Sequence, residues 1–441
     1  MLFRSGGAGW YQVIRENEIK DAVQIPEPYQ ALDFSGADEQ DHLTIRRVLF
    51  VFQNDFLRGG QGTNNRVMAL ARAVRDAGFT LDVLGAEHFS EFGWSNFEEE
   101  NEKENLIDIL RVYDYQTGYK EDGITARAYR KMRERYAGEN LQDWTRPGMR
   151  CMLEEMLGEN RYEAVCTFYS YLLPLFEDLP SECKKVYFME DCTFLQQYSW
   201  SNGNSEVTLG SLLNDELSRL ANVDEIICIS YDEKIMYEKL LGRDVHFLPH
   251  LVEKQIPAAS KDIPKKWDAF FVGFNNPFNV EGMQWYIDQV VPLLPKEFRT
   301  VVVGSVTKEL RSYPQNVDVI PYAENLEDIY CNGRICICPM FRGTGMKIKV
   351  VEAMAHGIPV VCNTRGVDGL PDKMLSGCLV TNDPEGFAQY LIKLGQDDNF
   401  YLNCKKQIGN YYKIIFDRNR YVELLKRTLR NEQSGLIIYN T

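Results

Sequence analysis

At 441 residues the chain exceeds what one ordinary hydrophobic core holds, which predicts two domains of roughly 150–200 residues each. A hydrophobic content of 44% with 26% charged residues excludes a disordered or fibrous class. With 64 acidic residues against 49 basic ones, a net charge of −15, the chain lacks the basic face that general nucleic-acid binding needs.

Residues 1–44 show no sustained periodicity, carry Pro26 and Pro28 before an acidic stretch, and read as an N-terminal extension. Val48–Phe52 is a continuous apolar run, followed by a glycine-rich turn and a helix over Asn64–Ala77 that Gly78 stops. Leu81–Leu84 then supplies a second strand, so the unit is strand, loop, helix, strand, which implies parallel pairing. The stretch from 95 to 160 is polar, with acidic and then basic clusters, and reads as a solvated helical surface. Further strands are expected at Ala164–Tyr169, Lys185–Met189 and Glu225–Ser230, each short and apolar as strands covered on both faces are.

The first domain is thus expected over 45–252 and a linker with two prolines over 253–266. A second alternating series fills 267–400, with strands at Ala269–Val272, Thr300–Val303, Val317–Ile320, Ile335–Cys338, Pro359–Cys362 and Cys378–Val380. Helices start near Val280, Leu326, Met346 and Pro384, and a helical segment mixing aromatics with bases occupies 401–441. The fold class expected is α/β, two doubly wound parallel-sheet domains facing a cleft.

Eleven cysteines stand singly, without the Cys-x-x-Cys spacing of a zinc site, and read as buried thiols in a reducing compartment. No stretch of about 18 apolar residues occurs and the first residues lack an apolar signal core, which predicts a cytoplasmic location. The basic stretches at Arg127–Arg135 and beyond Tyr401 read either as solvated helix faces or as a peripheral contact with the inner face of a membrane.

Ile335–Val361 carries the most chemistry. An apolar strand ends at Pro339, a loop with Gly343 and Gly345 follows, and a helix then runs through Ala355 to a stop at Gly357. Glycines let the backbone approach a ligand, while free amides and the positive end of the helix dipole favour anionic oxygens, so phosphate suits this place. Arg342, Lys347 and Lys349 add cationic side chains, although two lysines spaced two apart do not share a helical face. Glu352 reads either as an acceptor for the hydroxyls of a ribose or sugar, or as the partner of Lys349 in an exposed i, i+3 pair.

The segment Gly343, Gly345, Lys349, Glu352-Ala353-Met354, Gly357, Pro359-Val360-Val361 resembles the donor-binding signature of family 4-type glycosyltransferases of the GT-B fold (glycosyl transferases group 1). Phe271-Val272-Gly273, Val303-Gly304 and Leu248-Pro249-His250 extend the resemblance to about residues 46–400. It implies that Glu352 contacts the nucleotide ribose, that Gly273, Arg342, Gly343, Thr344, Gly345, Met346, Lys347 and Lys349 contact diphosphate and sugar, and that transfer needs no metal or other cofactor and proceeds with retention. Two departures stand out: Thr344 occupies the place of a second carboxylate, and Phe-Asn-Asn-Pro-Phe-Asn follows Gly273 where an Arg and a Lys are common.

In the first domain, Arg58–Asn64 is similar to the family's glycine loop facing the donor, with Gly60 and Gly62 as donor-binding candidates; a tight strand-to-helix turn explains the same glycines. Glu190-Asp191 falls where relatives carry a functional His or His-Asp pair, so both are catalytic candidates for stabilising charge on the anomeric carbon or orienting the acceptor, with a helix N-cap by Asp191 as the alternative. His250 at the interdomain junction is a further residue that could reach the cleft. The resemblance implies a glycosyltransferase acting between a nucleotide sugar and a glycan, lipid-linked or small-molecule acceptor in glycan or polysaccharide biosynthesis. Two rivals are a non-catalytic nucleotide- or glycan-binding GT-B protein and a sugar-nucleotide epimerase.

Overall fold

The computed structural model describes residues 46–58, 62–87, 94, 97–115, 141–201, 207–252, 265–323 and 325–430. The candidate Gly60 and the basic run Arg127–Arg135 lie outside the described residues.

The first sheet has seven parallel strands in the order β3-β2-β1-β4-β5-β6-β7. In chain order the elements are β1 (Arg47–Phe52), α1 (Gly62–Asp76), β2 (Thr80–Glu87), α2 (Phe97–Glu104), β3 (Ile109–Asp114), α3 (Pro147–Glu159), β4 (Ala164–Thr167), β5 (Lys184–Met189), α4 (Thr193–Trp200), α5 (Leu209–Leu220), β6 (Glu225–Cys228), α6 (Tyr231–Leu241) and β7 (His246–Phe247). The central strands are buried on both faces, which is why they read as unbroken apolar runs: every residue of β4 and all but the first of β1 are buried.

The polar stretch from 95 to 160 departs from the solvated helical surface that its composition predicts. Helix α2 does bury nothing, but β3 follows it and pairs with β2 from Ile109 to Asp114. As the edge strand it is half exposed and carries Arg111, so it lacks the apolar run that marks its neighbours.

The second sheet has six parallel strands in the order β10-β9-β8-β11-β12-β13. Its elements are β8 (Trp267–Val272), α7 (Pro277–Trp285), β9 (Thr300–Val303), β10 (Val317–Ile320), α8 (Leu326–Asn332), β11 (Gly333–Cys338), α9 (Ile348–Ala355), β12 (Val360–Cys362), β13 (Leu379–Val380), α10 (Pro384–Gln396), α11 (Asp398–Ile415) and α12 (Arg418–Leu429). Strand order reverses between β8 and β11, so the loops leaving those two strands flank a crevice at the carboxyl end of the sheet, where open α/β sheets bind ligands.

The last helix returns to the first domain. Arg418 on α12 pairs with Asp76 of α1 at 2.5 Å, and Lys184 of β5 donates to the carbonyl of Arg430 at 3.2 Å. Buried Tyr411, Tyr412, Phe416 and Tyr421 form the packing face of α11 and α12. All eleven cysteines are free thiols; Cys151 is exposed, Cys331 and Cys378 are half-buried and the others are buried. Among the described residues no helix is long and apolar enough to cross a membrane.

Candidate active site

The loop between β11 and α9 bends back on itself through Gly343 (φ +104°) and Gly345 (φ +69°), values in the left-handed region that a side chain disfavours. Gly345 has a second reason to lack a side chain: a Cβ there would lie 3.0 Å from Asp191 Oδ1 and 3.2 Å from the Glu190 carbonyl of the facing domain. The two domains therefore touch at this loop. Gly62, at the start of α1, faces the same region, since a Cβ on it would meet the Ile348 side chain at 2.8 Å.

The donor-side candidates separate into three groups. Lys347 turns back on its own loop, donating to the carbonyls of Thr344 at 3.0 Å and Gly345 at 3.3 Å. Lys349 points the other way, donating to Asn279 Oδ1 at 2.7 Å with its ammonium 4.3 Å above the Phe271 ring. Burial lowers the Lys349 pKa, so it holds its charge less firmly than an exposed lysine. Arg342 stays exposed, 3.4 Å from Glu281 Oε2. Met346 is buried at the base of the loop.

Asn279 is a residue that the sequence reading missed. It follows the Phe-Asn-Asn-Pro-Phe run after Gly273, its Nδ2 donates to the Phe274 carbonyl at 2.9 Å, and it thereby brings the Lys349 cation to the loop that lacks basic residues of its own. Gly273 serves packing, because a Cβ on it would collide with the Phe271 ring at 2.4 Å.

Glu352 accepts from Tyr330 Oη at 2.5 Å, and the Tyr330 ring stacks on His356. No ion pair joins Glu352 to Lys349 among the described residues, so the exposed i, i+3 pair is not formed. Burial raises the Glu352 pKa, opposed by the Tyr330 hydrogen bond and by the Lys349 charge.

From the first domain, β5 delivers Glu190 and Asp191 to the cleft, and the two side chains diverge. Asp191 accepts from Thr344 Oγ1 at 3.0 Å, while Cys192, whose side chain caps nothing, holds the N-cap of α4; the capping alternative for Asp191 is not realised. Glu190 turns inward, with Oε1 3.5 Å from Arg66 Nε. Arg66 is fully buried and was not foreseen; it donates to the carbonyls of Pro249 and, at 2.5 Å, Leu248, and to Tyr421 Oη at 2.8 Å, tying α1, the interdomain junction and α12 together.

The expectation that the loop amides stand free for phosphate is corrected at one position. The Gly345 amide donates to Glu233 Oε1 of α6 at 2.9 Å. Glu233 follows Ser230 at capping-box spacing, a signal that predicts a bond back to its own helix; the side chain crosses the cleft instead. The helix start itself, Lys347 before Ile348, has no side-chain cap.

The site is rich in buried carboxyls. Burial pushes Glu190 up to about 7, against the nearby Arg66, and Glu233 up to about 8, with the Asp191 charge adding to the effect. Burial also raises Asp191, opposed by its bond from Thr344. His250 is buried and burial lowers it to about 3, aided by Arg66, so the ring is neutral.

Comparisons with known proteins bear on the fold and on the second domain. Residues 267–397 match the family model described as glycosyl transferases group 1. A Klebsiella pneumoniae protein described as an uncharacterized 44.6 kDa protein in the cps region is 25% identical over 276 residues, 57% of this chain and 61% of that one. The match therefore spans less than two thirds of that relative. HepE of Anabaena, solved with UDP, superposes with a TM-score of 0.63 at 14% identity, over 87% of this chain and 99% of its own. Sucrose-phosphate synthase from Thermosynechococcus elongatus gives 0.64 at 13% identity, over 88% and 100%. The chain thus has the GT-B fold, and its second domain, which holds the glycine loop and Glu352, matches the group 1 glycosyltransferase model.

Proposed function

We propose that the chain is a family 4-like glycosyltransferase that moves a sugar from a nucleoside diphosphate to an acceptor hydroxyl. One observation carries the reading: at the reversal point of the second sheet, the loop opening α9 meets Asp191 of the facing domain, at 3.0 Å through Thr344. A donor held by the second domain would then present its sugar to a carboxyl of the first. That HepE of Anabaena was solved with UDP and with UDP-glucose supports a nucleoside-diphosphate donor. A relative in a cps region supports a place in glycan or polysaccharide biosynthesis, with a glycan, lipid-linked or small-molecule acceptor.

In this reading the acceptor oxygen bonds to the anomeric carbon as the bond from that carbon to the diphosphate breaks, and the acceptor proton leaves with the diphosphate. Retention of configuration and independence of a metal follow from the family resemblance. The helix start, with Arg342, Lys347 and Lys349, would answer the charge of the leaving diphosphate, and Glu352 would accept from the ribose hydroxyls. Asp191 would stabilise the developing cationic carbon or orient the acceptor, with Glu190 held against Arg66 behind it.

The test replaces Glu352 by Ala and measures binding of UDP-glucose and other nucleotide sugars by calorimetry. Loss of a charge-assisted hydrogen bond should weaken binding by about tenfold or more; unchanged affinity with intact folding would rule out the ribose contact. A second reading, nucleotide or glycan binding without transfer, is favoured by one observation, the engagement of the Gly345 amide by Glu233. Nucleotide binding without product over a broad acceptor panel would support it.

A further inference from the structure

The first turn of α6 bonds to the second domain at three consecutive residues. The Tyr231 amide donates to the Gly369 carbonyl at 2.9 Å, Asp232 Oδ2 accepts from the Gly369 amide at 2.9 Å and from Lys373 Nζ at 2.6 Å, and Glu233 Oε1 accepts from the Gly345 amide at 2.9 Å. The two segments it grips are packed on one another: a Cβ on Gly369 would lie 3.1 Å from Met346 Cα. Both gripped glycines hold positive φ, +69° at Gly345 and +84° at Gly369, a region that glycine enters without strain and leaves as readily.

Glu233 is the member of this turn that reaches the candidate site. It is 6% exposed, and besides the Gly345 amide its carboxyl is bonded by the Cys192 side chain, a weak donor. A carboxyl taken this far from water for one backbone amide and one thiol is costly for folding alone, because an apolar residue with an ordinary helix start would avoid that desolvation. What the arrangement supplies is a link between domain closure and loop shape: the Gly345 bond exists only while α6 lies against the second domain.

We propose that Glu233 is a positioning residue which, from the first domain, fixes the bend of the Gly343–Lys347 loop on closure and so sets the amides at the start of α9 for an anionic ligand. The anionic ligand, a nucleoside diphosphate, rests on the transfer reading above; the grip on the loop does not. The amide needs an acceptor and not a charge, so Glu233→Gln should serve and Glu233→Ala should not. Burial has already moved this carboxyl toward its neutral form, which an amide mimics.

The experiment is hydrogen exchange by mass spectrometry on the full chain without ligand, with UDP binding followed by calorimetry on the same proteins. Glu233→Ala should speed exchange in peptides covering 343–347 by about tenfold, the effect of one lost protecting bond, while peptides of α6 keep their protection. Glu233→Gln should match the wild type, and UDP affinity should fall in Ala and not in Gln. If Glu233→Ala does not fold, Glu233→Asp, shorter by one methylene, carries the same expectation. Unchanged exchange over 343–347, a Gln variant as impaired as Ala, or tighter UDP binding in Ala would each overturn the proposal, the last by making Glu233 a competitor of the phosphate. Should the wild type bind none of UDP, GDP and ADP, the transfer reading fails while the exchange result still decides the role of Glu233.

Discussion

Arg66 shows how much one buried side chain can hold. Its guanidinium bonds the carbonyls of Leu248 and Pro249 and the hydroxyl of Tyr421, and its Nε faces Glu190 at 3.5 Å. Removing one partner of a buried pair leaves an uncompensated charge, whereas neutralising the other leaves a cation that still has three acceptors. Arg66→Met should therefore cost about 3 kcal/mol or more in chemical denaturation, and Glu190→Gln much less. Equal losses in the two variants would show that the pair, and not the junction, carries the energy. The double variant should be less stable than wild type by no more than Arg66→Met alone, because residues in one network do not act additively.

At the level of elements, the approach of α7 to the end of β11 sets the floor of the site. A Cβ on Gly282 of α7 would stand 1.9 Å from the Pro339 carbonyl, the residue at which the donor loop begins. Gly282→Ala would gain about 1 kcal/mol of helix propensity but must push helix and loop apart, at a cost of about 1–3 kcal/mol. A net loss of stability in urea is expected, with weaker nucleotide binding because Pro339 moves. Gly409 in the middle of α11 has nothing within 4 Å of its missing Cβ. There Gly409→Ala should stabilise by about 0.5–1 kcal/mol, and the opposite signs of these two glycine changes check the packing account.

Over the whole molecule, buried carboxyls set the dependence of stability on pH. Burial raises Glu190 to about 7, Glu216 to about 7 and Glu233 to about 8. A carboxyl with a raised folded pKa favours folding most below its unfolded value near 4.5, and that contribution fades as pH rises through the folded value. His250, lowered to about 3, acts in the opposite sense: its contribution is complete above about 6.5, its unfolded value, and is lost as pH falls. Between about pH 6.5 and 8 the carboxyls titrate without that opposition. The melting temperature should decline across this window, and a flat or rising curve in a buffer series would contradict it.

Much of this was legible in the chain itself. Short apolar runs marked β1, β2, β4 to β6 and β8 to β13, because most of these are central parallel strands covered on both faces, which are largely apolar. The strands β3 and β7 escaped, since β3 is half exposed with Arg111 in its middle and β7 is only two half-buried residues, His246 and Phe247. The glycine loop and Glu352 were equally visible, as their spacing within one loop and one helix is local. Tertiary structure alone decided that Glu233 would meet Gly345, that Lys349 would meet Asn279, and that Arg66 would meet the junction and Tyr421, across 112, 70 and up to 355 residues. A backbone pattern follows from neighbours a few residues apart. The partner of a buried polar group depends on which distant segment closes over it, and no periodicity in the sequence records that choice.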